Sequence, residues 1–164
     1  MLKITDFPTR ACSADDITRL ERGIGSRLPQ DYAAFLLRCN GGYCGRGDDD
    51  TQSVFAFRIP STGNEDVAAI AVMYSYGLND TSDTVFRDLL LMRDRMCRAD
   101  PPIPDEMIPI GQTRGGGWII TLGVAGRFRD GVYLNMNRHD MDWEDILLAR
   151  SFTSFEAMVT QRVV

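Results

Sequence analysis

The chain has 164 residues, 44% of them hydrophobic and 25% charged, which fits one globular domain able to bury a core without a metal or disulfide staple. Its net charge is −5, its pI is near 4.8, and Lys3 is the only lysine beside 17 arginines. That balance argues against direct binding of nucleic-acid phosphates and favours a basic partner, and it leaves a P-loop or Schiff-base mechanism without its lysine.

The N-terminus does not read as a signal peptide, because Lys3, Thr5, Asp6, Pro8 and Arg10 stand where an apolar core would be. A cytoplasmic location is the expectation. A first helix is predicted over residues 14–22: Ser13 can cap it, Asp15 and Asp16 suit its positive end, Ile17 and Leu20 face inward, and Gly23 stops it. A second follows over residues 28–42. Pro29 suits its first turn, Tyr32, Phe35, Leu36 and Cys39 share one stripe at i, i+3, i+4 and i+7, and positive φ at Asn40 and Gly41 ends it.

Residues 45–50 read as a polar loop and 53–59 as a strand. Residues 64–76 keep helical spacing at Val67, Ile70, Ala71 and Tyr74, while their β-branched content suits a strand; the spacing predicts a helix. The apolar run at 67–78 is broken by Ser75 and Gly77 and, at about 12 residues, is too short to cross a bilayer. Val85, Leu89, Met92 and Met96 mark a helix over 83–98, closed by Asp100-Pro101-Pro102.

From there the period changes to two. Strands are predicted at 107–110, 118–122 and 132–136, the last two joined as a hairpin ending in the turn pair Asp130-Gly131, with a further strand at 146–149. Thr153-Ser154-Phe155-Glu156 has the form of a capping box opening a final helix with Phe155, Met158 and Val159 on one face. The fold class is therefore α+β: an N-terminal helical pair packed on a mostly antiparallel sheet, with a C-terminal helix.

Four pieces of the chain resemble the SUKH superfamily, which includes a fungal cell-wall assembly regulator and many bacterial immunity proteins. Leu28-Pro29, Asp31-Tyr32, Phe35-Leu36 and Asn40-Gly41-Gly42 are similar to its LP-x-DY-x-x-FL…NGG signature. Ile108-Pro109-Ile110-Gly111 resembles the strand before its central hairpin. Gly116-Gly117, Trp118 and Gly131-Val132-Tyr133 resemble that hairpin, and Leu148-Ala149-Arg150-Ser151-Phe152 running to Phe155 resembles its closing strand-to-helix step. The resemblance implies that these residues mark a fold and carry no catalysis. It also implies a binding protein: an immunity protein that neutralises a cognate toxin domain, often a nuclease in such systems, or alternatively an intracellular scaffold or regulatory module.

Little in the sequence offers reaction chemistry. His139 is the only histidine, so any acid–base pair must use it, and in Asn137-Arg138-His139-Asp140 it reads as a solvated turn residue. Cys12, Cys39, Cys44 and Cys97 form no CxxC pair and read as reduced, mostly buried thiols, with an opportunistic bridge or a reactive Cys44 as the alternative. Gly115-Gly116-Gly117 precedes a strand instead of a helix, so it suits a tight hairpin entry better than a phosphate cradle. No catalytic residue, metal or cofactor is expected.

Two acidic clusters remain, Asp48-Asp49-Asp50 and the group Asp140, Asp142, Glu144 and Asp145 around Trp143. Each reads either as a solvated face or as a partner-binding surface, and Trp143 either as a binding hot spot with a charged rim or as a core anchor for the last strand. The expected partner is a basic protein domain; neither nucleic acid nor membrane is expected.

Overall fold

The structure is a computed structural model and describes residues 11–44, 53–60, 66–77, 88–100, 102–115, 118–136 and 144–163. Ser13 opens α1 (Ala14–Ile24) with a reciprocal cap: its Oγ accepts from Asp16 N at 3.2 Å, and Asp16 Oδ2 accepts from Ser13 N at 2.9 Å. Gly25, at φ 72°, ends α1, so Gly23 lies inside the helix, packed against Leu90. The second helix, α2 (Gln30–Arg38), starts after Pro29 and buries Tyr32, Phe35 and Leu36 completely. The predicted stripe is a core face.

The strands are β1 (Gly42–Tyr43), β2 (Ser53–Arg58), β3 (Val67–Met73), β4 (Met107–Thr113), β5 (Ile119–Gly123), β6 (Val132–Met136), β7 (Glu144–Ala149) and β8 (Thr160–Val163). All pair antiparallel in the order β7-β6-β5-β4-β3-β2-β8, and β1 pairs with β3 alongside β2. A helix, α3 (Leu89–Cys97), separates β3 from β4, and α4 (Phe152–Met158) follows β7. Alternation along the strands sends Phe55, Phe57, Ile70, Ile120, Leu134 and Ile146 into the cluster that also receives Leu20, Tyr32, Leu89 and Phe155 from the four helices. This is the α+β architecture expected, built on one contiguous core.

Four local expectations need correction. Residues 67–73 are strand β3, not helix: Ala68, Ile70 and Val72 are buried and Val67 exposed, a period of two that wins because the segment has β2 on one side and β4 on the other. The third helix begins at Leu89, because Asp88 is its extended N-cap, accepting from Leu90 N and Leu91 N. The final helix is capped two residues earlier than predicted, with Ser151 Oγ accepting from Ser154 N at 3.1 Å. After it the chain returns as β8 along β2, a strand that Thr160-Gln161-Arg162-Val163 is too short to announce.

Candidate protein-binding surface

The helix that ends in Asn40-Gly41-Gly42 stops for a structural reason. Asn40 does not adopt positive φ; Asp130 is the one non-glycine residue that does among the described residues. The buried Asn40 side chain instead pairs with both backbone groups of Tyr76, its Oδ1 accepting from Tyr76 N at 2.8 Å and its Nδ2 donating to Tyr76 O at 2.7 Å. Gly41, at φ 70°, lets the chain pass against β3, where a Cβ would collide with the carbonyls of Met73 and Tyr74. Asp88 continues the connection by accepting from Gly77 N at 2.8 Å.

The two ends of the signature meet each other. Asp31 Oδ2 accepts from Thr153 N at 2.7 Å, Tyr32 meets Phe152 edge-on with ring centroids 4.9 Å apart, and Phe35 lies 5.0 Å from Phe152. Arg38 donates to Glu156 at 2.8 Å beside them. Leu28 and Pro29 are buried at the helix entry, and Leu28 N donates to Glu21 Oε1 at 3.0 Å.

Cys12, Cys39 and Cys44 are buried and Cys97 is partly exposed. Burial pushes the Cys44 thiol up to about 12 against the opposing charge of Arg114, whose guanidinium donates to the Cys44 carbonyl at 3.1 Å. A shielded thiol of that kind stays protonated at neutral pH, which removes the reactive reading of Cys44. Burial also raises the Tyr32 hydroxyl well above its ordinary value. Among the described residues no group of three His, Cys, Asp or Glu side chains could hold a metal ion. Nor, among them, is any helix long and apolar enough to cross a membrane.

Of the acidic candidates, Asp48, Asp49, Asp50, Asp140, Asp142 and Trp143 lie outside the described residues, as does His139. Glu144 opens β7 opposite Met136, and Asp145 follows opposite Asn135. Described residues include 13 arginines and 14 carboxylates, and the whole chain carries 18 basic and 23 acidic residues.

Asp145 is the candidate whose surroundings are defined. Strand alternation and register place Thr121, Tyr133, Asn135, Asp145 and Leu147 on the sheet face opposite the one that receives the helices. The Asp145 carboxylate accepts from Asn135 Nδ2, and burial lifts its pKa above the ordinary value, opposed by that hydrogen bond and by the charge of Arg127. No arginine pairs with it among the described residues; Arg127 lies with its guanidinium carbon 4.6 Å from the centre of the Phe128 ring. Asn135 is 1% exposed and its Oδ1 has no hydrogen-bond partner, while Leu147 is 40% exposed.

The SMI1 / KNR4 family (SUKH-1) model matches residues 11–158. The chain belongs to that family. No curated protein and no solved structure matches it. For this SMI1/KNR4 domain, the signature residues Leu28, Pro29, Tyr32, Phe35, Leu36, Ser151, Phe152 and Phe155 fall in the α2–α4 packing and its helix entries, whereas Asn40, Gly41 and Gly42 carry the turn from α2 into β1 against Met73 to Tyr76. Sequence reasoning passed over Asn135, Tyr133 and Leu147. Their one signal was phase: Tyr133 and Asn135 are the polar alternates of a strand whose apolar residues all face the core.

Proposed function

We propose that this SMI1/KNR4 domain works by binding another protein, and more narrowly that it is an immunity protein that occludes a cognate bacterial toxin domain. The observation that carries the binding reading is the acidic sequence, net −5, with carboxylates clustered at Asp48-Asp49-Asp50 and at Asp140, Asp142, Glu144 and Asp145. Such carboxylates steer a basic partner and raise the association rate, while apolar contacts such as Trp143 and Leu147 slow dissociation. Family membership supports the narrower half, since the group includes many immunity proteins. No reaction is assigned to the chain, and its partner is expected to be a basic protein domain.

The test is titration against the domain encoded next to this gene, at low and high salt. Affinity should fall as salt rises, and it should weaken on Asp48→Lys with Asp49→Lys and on Trp143→Ala. Unchanged affinity across both variants and the salt series would reject this surface. An intracellular regulatory module is the competing identity, and a gene lying away from any toxin gene would favour it.

A further inference from the structure

We propose that the β6–β7 edge, on the sheet face opposite the core helices, is a receptor for one arginine side chain of the partner, held by Asp145 and Asn135 between Tyr133 and Leu147. The inference rests on the reading that the protein acts by binding another protein, and it names the chemistry one contact would have.

Two groups here lack what a cation supplies. Asn135 is an almost fully buried amide with its Nδ2 committed to Asp145 and its Oδ1 unpartnered, a state that costs free energy until a donor arrives. Asp145 is a half-buried carboxylate with one amide donor and no ion pair among the described residues. Cross-strand register sets the two side by side.

The Asn135 amide is 1% exposed and bonded to Asp145, so a ligand that completes both groups needs more than one donor. A guanidinium suits that demand. Its planar fork carries several N–H donors, so one can serve the carboxylate and another the amide oxygen, whereas an ammonium is a point charge on a single atom. Tyr133, half-buried, and Leu147, 40% exposed, flank the pair across β6 and β7 and offer apolar contact to the methylenes of an arginine stem.

Among the described residues Arg127 does not fill the position. Arg127, whose charge acts on Asp145 and Tyr133, stacks on Phe128, whose ring in turn meets Tyr133 edge-on at 5.5 Å. Arg127 is thus a neighbouring like charge that an incoming guanidinium must tolerate.

The experiment is an NMR titration of the full chain with N-acetyl-arginine N-methylamide, its citrulline counterpart and its lysine counterpart. Arginine should shift the Asn135 side-chain amide and the 145–147 backbone amides saturably, with citrulline at least about tenfold weaker, the factor that loss of a charged hydrogen bond implies. Asp145→Asn should abolish the response while the signals of Tyr32 and Phe152 stay in place. Should that variant not fold, Arg127→Gln, an exposed change, should instead tighten arginine binding by removing the competing charge. Equal responses to arginine and citrulline, shifts scattered over the surface, or an Arg127→Gln protein no tighter than wild type would overturn the site. Lysine as strong as arginine would overturn the fork. Failure here with Trp143→Ala still weakening the partner leaves the binding function standing without this contact; arginine capture with no protein partner bound would do the reverse.

Discussion

The α2–α4 contact and the β6–β7 edge treat their carboxylates in opposite ways. At the first, Asn40 spends both ends of its amide on Tyr76, Asp31 accepts from Thr153 N, and Tyr32, Phe35, Phe152 and Phe155 close over one another. At the second, Asn135 keeps an oxygen unpaired and Asp145 sits half-buried without a counter-ion among the described residues. The orphan of the first region is the uncharged Tyr32 hydroxyl, sealed in the core, while its carboxylates have partners. A half-buried carboxylate without a counter-ion is what a partner can complete, so the family signature sits in the first region and the partner chemistry is sought in the second.

The largest expected effect breaks the α2–α4 side. Phe152 is fully buried against Tyr32 and Phe35, so Phe152→Ala should lower unfolding free energy by about 3–5 kcal/mol, read from urea denaturation. Gly41→Ala comes next, at about 2–4 kcal/mol, because it adds both positive-φ strain and a Cβ against β3 carbonyls. Stability within about 0.5 kcal/mol of wild type would mean that the chain passes β3 by another route.

The two buried asparagines sharpen the comparison directly. Asn40→Leu strands the Tyr76 N–H and C=O and should cost about 2 kcal/mol, whereas Asn135→Leu removes an orphan acceptor along with the amide donor to Asp145, two opposing effects, and should stay within about 1 kcal/mol of wild type. The second variant should nevertheless lose its response to the arginine derivative. Equal costs for the two would show that the Asn135 oxygen is satisfied in solution and would remove the contrast.

The sequence revealed the first region far better than the second, and the reason is physical. Burial writes itself as periodicity, so Tyr32, Phe35, Leu36 and Cys39 were legible as a core stripe and Val132, Leu134 and Met136 as one strand face. Residues 67–73 misled because alanine is at home in a helix and Val67, Ile70, Ala71 and Tyr74 fit a period of 3.6 as well as Ala68, Ile70 and Val72 fit a period of two. Only the pairing with β2 and β4 decides between them. The acidic candidates were read from composition, and of those only Glu144 and Asp145 fall on a described element. Asn135 could not be singled out, since an unpaired oxygen is a property of a cross-strand neighbour that local sequence does not encode.

The smallest effect concerns Asp145 and pH. Its folded-state pKa lies above the ordinary 3.8, with burial as the main cause, so folding favours its protonated form. Its contribution to stability is therefore fully present below the unfolded value and is lost as pH rises through the folded one. Asp145→Asn keeps an acceptor for Asn135 Nδ2 while removing the titration. The variant should then be more stable than wild type at neutral pH, and the difference should shrink toward zero as pH falls below 3.8. Chemical denaturation at a series of pH values reads this as the gap between the two midpoints. A gap that widens in acid would mean the carboxylate is stabilised in the folded protein, in which case Asp145 already has its cation and the β6–β7 edge differs from the α2–α4 contact only in exposure.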